Sequence, residues 1–257
     1  EEELQVKLFN RTSHSVVLTE DGLLFKRRAQ EIVALSEKTK RDFIRGNREL
    51  SGEIGIGCGE FRSIQIIAQI MKEFKKEHPF VTFQIYSGNS SNIKERIESG
   101  ILDIGVILDY VDIRKYEYVR IPLSEEWGVL VREDSPLAAM EYVTPEDIRE
   151  LPLIISERSM RDNELADWIG KKYEDLNIVS TYNLMYNAAI MVANGMGVAG
   201  CIKLDCRYEG TRFVPARPSV KNNSVFAWKK ALSQSQAVSS FIEFSRIYIK
   251  RISSNTT

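Results

Sequence analysis

The sequence predicts an α/β protein of two similar lobes, preceded by a short β-hairpin and one long helix. Three observations lead there. Strand-like and helix-like runs alternate between Ile54 and Leu108, and again between Thr144 and Val198. That order builds parallel sheets through right-handed crossovers. Extended runs at Tyr118–Ile121, Trp127–Arg132 and Val225–Trp228 fall where the chain would cross between two lobes and return. Residues 1–46 follow neither pattern and carry a hairpin signal and then a helical seam. At 257 residues the chain exceeds one typical domain.

Glu1 to Leu4 read as the end of a helix, followed by Leu8 and Phe9 beside the basic Lys7 and Arg11. Thr12 to Ser15 form a polar tip, and Val16, Val17 and Leu18 lead back as a short strand. A helix end followed by a small hairpin is the second half of a winged helix. From Thr19 to about Gly46 the pattern is helical. Thr19 caps it, and Glu20 and Asp21 in the first turn complement the helix dipole. Phe25, Ala29, Ile32, Ser36, Thr39 and Phe43 follow a 4-3-4-3-4 spacing, which is a heptad seam. Such a helix spans roughly 40 Å, too long for the hairpin to cover. The charged residues around it leave a narrow apolar stripe. A second copy of the helix is the simplest partner, so a dimer is expected. The alternative is a long helix packed on its own domain.

Gly46 to Gly52 reads as a hinge. Ile54, Ile56 and Cys58 then alternate as a strand. Ile66, Ile67, Ile70, Met71 and Phe74 form a helical face closed at His78-Pro79. Val81, Phe83 and Ile85 make a second strand, and Gly88-Asn89-Ser90-Ser91 starts a helix with Ile93 and Ile97 inward and Gly100 as its stop. Asp103 to Leu108 is a third, nearly all-apolar strand. In the second lobe, Thr144-Pro145 starts a short helix. Leu153–Ile155 is a buried strand, Asp162–Tyr173 a helix and Ile178–Thr181 a strand. Asn187–Asn194 is a helix stopped by Gly195, and Val198 begins the next strand. Ser233 to Ile252 is a final helix. Two lobes joined by two crossings form the pattern of periplasmic-binding-type folds.

The run E-E-E-L-x-V-x-L-F-x-R, a polar tip and L-T-E-D-G resembles the LysR-type transcriptional regulators, where it joins the recognition helix to the wing and linker helix. Ile54-Gly55-Ile56-Gly57, the stop at His78-Pro79, the run from Ser87 to Val106 and V-A-N-G-M-G-V match that family's effector domain in order. The resemblance covers essentially the whole chain. It implies two Rossmann-like lobes of the periplasmic-binding-protein type II fold, preceded by the remnant of a winged helix-turn-helix and a long linker helix. Residues 1–18 would end the DNA-binding domain, and 19–50 would be the linker and dimerisation helix with its hinge. Residues 51–122 with 225–257 would form effector lobe I, and 123–224 lobe II. The chain begins with Glu and not Met, so the resemblance places the first helices of the helix-turn-helix before residue 1.

Lys7, Arg11, Thr12, Ser13 and His14 lie on the expected wing, where basic and hydroxyl groups suit phosphate contacts. A solvated turn is the plain alternative. Ligands of open parallel sheets bind beyond the carboxyl ends of the strands. Those ends hold Gly59, Glu60, Phe61 and Arg62, then Ser90 and Asn92, then Leu108, and in the second lobe Ser156, Arg158 and Arg161. Arg62, Arg158 and Arg161 are placed to clamp a carboxylate. Capping by Ser90 and Asn92, and surface ion pairs for the arginines, are the competing readings. Many LysR relatives carry Ser or Thr at the first loop; Gly59-Glu60 departs from that, and Glu60 would favour an amine.

Formal net charge is −1, so any nucleic-acid affinity must be local. No apolar run is long enough to cross a bilayer and no signal peptide is recognisable. Three cysteines form no disulfide framework, which fits a cytoplasmic protein. One branch of the family senses peroxide through a cysteine pair, but Cys201 and Cys206 follow V-A-N-G-M-G-V and read as buried small residues. The two histidines give no zinc spacing, and no catalytic constellation is present. The reading is therefore a ligand-responsive regulator, not an enzyme and without a cofactor. Its expected partners are promoter DNA, a small-molecule effector such as a carboxylate, a homodimer or homotetramer, and RNA polymerase, with no membrane. A solute-binding protein of the same fold is the alternative.

Overall fold

A computed structural model describes residues 1–11, 15–43, 50–108, 113–157, 164–230 and 234–254. Strands β1 (Phe9–Arg11) and β2 (Val16–Leu18) pair antiparallel, with Phe9 opposite Leu18. The expected hairpin is therefore present, while its tip at 12–14 lies outside the described residues. Glu1 to Leu4 do not form a helix end. They sit in a turn, and the Glu1 carboxylate accepts hydrogen bonds from the N–H groups of Leu8 (2.7 Å) and Phe9 (3.0 Å). Those two bonds hold its pKa below the ordinary value.

Helix α1 (Glu20–Phe43) starts where Thr19 caps it. The Gly22 N–H donates to Thr19 Oγ1 at 2.9 Å, and that hydroxyl donates to the Lys7 carbonyl at 2.6 Å. A Cβ at position 22 would stand 2.0 Å from the Leu8 carbonyl oxygen. The L-T-E-D-G run thus has a physical reason: Thr19 ties the helix start to the hairpin, and Gly22 lets the two backbones meet. The hinge expected around Gly46 falls mostly in 44–49, outside the described residues.

Nine strands form one mixed sheet among the described residues. The first lobe contributes β3 (Gly52–Cys58), β4 (Val81–Ser87) and β5 (Ile104–Leu108), all parallel. Helices α2 (Ile64–Glu77) and α3 (Ser90–Glu98) supply the crossovers. The I-G-I-G motif explains how β3 carries a layer on each face. Ile54 and Ile56 are fully buried in a core with Phe74, Phe226 and Phe241. On the other face, a Cβ at Gly57 would meet Ile93 and Leu102 at 2.8 Å, so glycine lets α3 lie close. Each buried isoleucine contributes roughly 1.5–3 kcal/mol.

Strand β6 (Tyr116–Arg132) is one continuous strand of 17 residues where two separate strands were expected. Its first half pairs with β11 (Lys221–Lys229), which pairs with β5, all antiparallel. Its second half pairs with β9 (Val198–Ile202) and β10 (Thr211–Pro215). The two expected crossings are thus β6 and β11. The second lobe adds β7 (Leu153–Ser156) and β8 (Ile178–Tyr182), and β7 runs parallel to β8 and β9. Helix α4 (Pro145–Ile148) starts at Thr144, whose N–H donates to Asp147 Oδ2 at 2.7 Å. Helix α5 (Glu164–Ile169) ends before the expected Tyr173, because Gly170 turns to φ 72° and stops it. Helix α6 (Met185–Ala193) stops at Gly195 with φ 79°. Helix α7 (Gln236–Ser254) packs Val238, Phe241 and Ile242 back on the first lobe.

Lys38 of α1 docks the helix on the first lobe. Its Nζ donates to the Gly100 carbonyl at 3.1 Å and pairs with Asp103 at 2.5 Å, and both side chains are nearly buried. The other oxygen of Asp103 accepts from the Gly55 N–H at 2.8 Å. The seam faces elsewhere: Phe25 and Ile32 are exposed, as is Thr39, while Ala29 is half-buried. The Phe43 side chain lies outside the described residues. Leu23, Leu24 and Val33 are exposed too, so the apolar face is broader than the expected stripe. Among the described residues no helix is long and apolar enough to cross a membrane.

Candidate functional site

The carboxyl ends of β3, β4, β7, β8 and β9 meet across a cleft between the lobes. From the first lobe come Gly59, Glu60 and Phe61 after β3, and Gly88, Asn89 and Ser90 after β4. These two loops are tied beneath the cleft by the Gly88 N–H, which donates to the Cys58 carbonyl at 3.2 Å. From the second lobe come Ser156 at the end of β7, Tyr182 and Asn183 at the end of β8, Met185 at the start of α6, and Gly200 to Ile202 of β9. Leu204 closes the floor, and Trp127 of β6 stands where the strand enters the second lobe.

Glycines shape this wall. A Cβ at Gly59 would lie 2.4 Å from the Phe61 ring, so glycine there lets the ring turn back over the loop. A Cβ at Gly200 would lie 3.3 Å from Trp127, so the indole rests against bare backbone. Trp127 also meets the Trp168 ring edge-on at 5.6 Å. The Tyr182 hydroxyl donates to the Gly200 carbonyl at 2.7 Å and fixes the β8 end against β9.

Three carboxylates make contacts that bridge the lobes at the cleft. Glu60 Oε2 accepts from the Met185 N–H at 2.6 Å, so a first-lobe carboxylate caps a second-lobe helix. Leu184, at the cap position, has no side-chain oxygen to do this. Arg62 Nε pairs with Asp205 at 2.9 Å, and Gln65 donates to the same carboxylate at 2.8 Å. Glu125 of β6, almost fully buried, accepts from the N–H groups of Arg62 (3.1 Å) and Ser63 (3.0 Å) and so caps the start of α2.

Of the residues singled out in the sequence, Gly59, Glu60, Phe61, Ser90 and Ser156 line the cleft. Arg62 is turned to Asp205, and Leu108 is buried in the sheet. Asn92 is exposed on the first turn of α3, where its N–H donates to Asn89 Oδ1 at 2.9 Å. Asn89, not Ser90, is the cap. Arg158 and Arg161 lie outside the described residues. Trp127, Tyr182, Asn183 and the β9 residues went unnoticed. Their signal was available: each sits at a strand end or, for Trp127, at the lobe crossing.

Cys201 is buried on the cleft wall, and burial pushes its thiol up to about 12. Cys206 is exposed, contrary to the buried role expected of it. All three cysteines are free, and no group of side chains among the described residues could hold a metal ion. On the hairpin, Lys7 and Arg11 are both exposed, with the Arg11 guanidinium 5.8 Å from the Phe9 ring. Thr12, Ser13 and His14 lie outside the described residues.

A two-lobed binding domain behind a hairpin and a long helix is the class these features define. The family model described as the LysR substrate binding domain matches residues 47–248. The chain belongs to the LysR family of transcriptional regulators. It is 33% identical over 174 residues to the HTH-type transcriptional regulator YwqM of Bacillus subtilis, covering 65% of this chain and 59% of that protein. It therefore spans about three-fifths of that relative's length. Full-length CbnR, solved with its target DNA, shares the fold with a TM-score of 0.71 at 17% identity, over 96% of this chain and 86% of that one. The effector-binding domain of QuiR in complex with shikimate superposes with a TM-score of 0.67 at 18% identity, over 79% of this chain and 99% of that one.

Proposed function

We propose that the protein is a ligand-responsive regulator that binds promoter DNA as a dimer or higher oligomer and senses a small molecule between its lobes. The inter-lobe cleft carries the reading: loops at five strand ends converge there, and Glu60 and Arg62 reach across it. In this reading residues 51–122 with 225–257 and residues 123–224 are the two effector lobes. Gly59, Glu60, Phe61, Ser90 and Ser156 contact the ligand, and Arg158 and Arg161, which lie outside the described residues, are expected to join them. Lys7 and Arg11, with Thr12, Ser13 and His14, touch DNA phosphates from a wing ending at residue 18, and residues 19–50 link it to the sensor. QuiR, solved with shikimate, and CbnR, solved with its target DNA, support a small-molecule effector and a DNA partner respectively.

A ligand acts by binding one lobe arrangement better than another. Glu60–Met185 and Arg62–Asp205 are the contacts that any change in lobe spacing must rearrange. Lys38–Asp103 then carries the motion of the first lobe into α1. A thermal-shift screen of a metabolite library on residues 1–257 tests the sensor. At least one small polar compound should raise the melting temperature saturably, and a library that leaves it unmoved would remove the switch from the proposal.

A further inference from the structure

We infer that the ligand of this cleft carries a protonated amine and that Glu60 is its partner; the inference rests on the cleft being an effector site. Four observations lead there. First, Glu60 is the one carboxylate among the described lining residues, and no Lys, Arg or His lies among them. Second, among the described residues, the cations that follow lining residues in the chain are already paired, Arg62 after Phe61 with Asp205 at 2.9 Å and Lys203 after Ile202 with Glu126 at 3.1 Å.

Third, each helix start at the cleft already holds an internal acceptor. Helix N-termini attract carboxylates because their first N–H groups lack partners. Here the start of α2 is capped by Glu125, that of α6 by Glu60 and that of α3 by Asn89. A carboxylate ligand at the start of α2 or α6 would have to displace an internal carboxylate and stand beside a like charge.

Fourth, Glu60 uses only one oxygen. Oε2 holds the Met185 N–H, while Oε1 makes no hydrogen bond among the described residues. An ammonium group can bind Oε1 without breaking the bond between the lobes. Phe61, Trp127 and Tyr182 line the same cleft, and aromatic faces attract cations. The site joins one carboxylate to three rings, a chemistry suited to a small amine.

Calorimetric titration of residues 1–257 and the E60Q variant at neutral pH tests this. The amine probes are putrescine, agmatine and phenethylamine; the anion probes are succinate, benzoate and shikimate. Gln keeps a carbonyl oxygen for the Met185 N–H and removes the charge. At least one amine should bind wild type, with affinity weakened about tenfold in E60Q, the loss of one charge-assisted hydrogen bond. The anions should not bind. Anions that bind while amines do not would overturn the amine assignment and leave the sensor reading intact. Amines that bind E60Q as well as wild type would overturn the role of Glu60. Binding by neither class would sink both.

Discussion

At the residue scale, Glu60 and Glu125 tie the two lobes together. Each gives a carboxylate to backbone N–H groups at a helix start, and each reaches there from a distant strand or loop. Glu125 is almost fully buried, so its removal would leave two N–H groups without acceptors, at about 1–3 kcal/mol for each group left unsatisfied. The cysteines divide just as sharply. Burial pushes the thiols of Cys58 and Cys201 up to about 12, with the charge of Glu125 adding to the effect at Cys58, whereas Cys206 is exposed. At pH 8 a thiol reagent should therefore modify one fast-reacting cysteine in the folded protein, and Cys206→Ser should abolish that phase. Fast labelling of Cys201 would contradict the packing described here. The two buried thiols also set an alkaline limit. Their folded pKa lies above the ordinary 9.0, so the stability they contribute is complete below pH 9 and is lost as pH rises through about 12. Little of this was legible in the sequence. Local spacing marks Glu60 as a loop residue, but its partner Met185 is 125 residues away. Cys206 was misjudged because composition says where cysteines usually sit, not where a particular loop runs.

At the scale of elements, sequence was most informative where the interactions are local. Thr19 and Gly22 lie three residues apart, and their roles as cap and close-contact glycine act within that span and on the adjoining hairpin. The hairpin, α1, α2 and the three parallel strands of the first lobe all follow from short-range pattern. Strand β10 was missed because T-R-F-V-P is five residues long and ends in proline, a poor strand signal. It exists because it pairs with β6, from Thr211 opposite Arg132 to Pro215 opposite Gly128. The apolar face of α1 was legible in kind but not in breadth. Phe25, Ile32 and Val33 are exposed, with Ile32 at 69%, and nothing among the described residues covers them. Light scattering of residues 1–257 should give at least a dimer mass. Ile32→Asp should shift it toward the monomer without altering far-ultraviolet circular dichroism. A wild-type monomer at micromolar concentration would remove this helix from the interface.

The whole molecule is two lobes that share one mixed sheet through β6 and β11, with the cleft where strand ends of the two lobes face one another. That arrangement was legible because alternating strands and helices leave few topologies, and because three extended runs were left over to serve as the two crossings. Which side chains bridge the lobes was not legible, since the Glu60 and Arg62 contacts join loops far apart in sequence. The central claim is that a ligand in the cleft changes how the lobes sit. Spin labels at Glu95→Cys on α3 and Asp167→Cys on α5, in a Cys206→Ser background, would report the lobe spacing by electron–electron resonance. A stabilising compound should shift or narrow the distance distribution. Identical distributions with and without a bound compound would contradict the account.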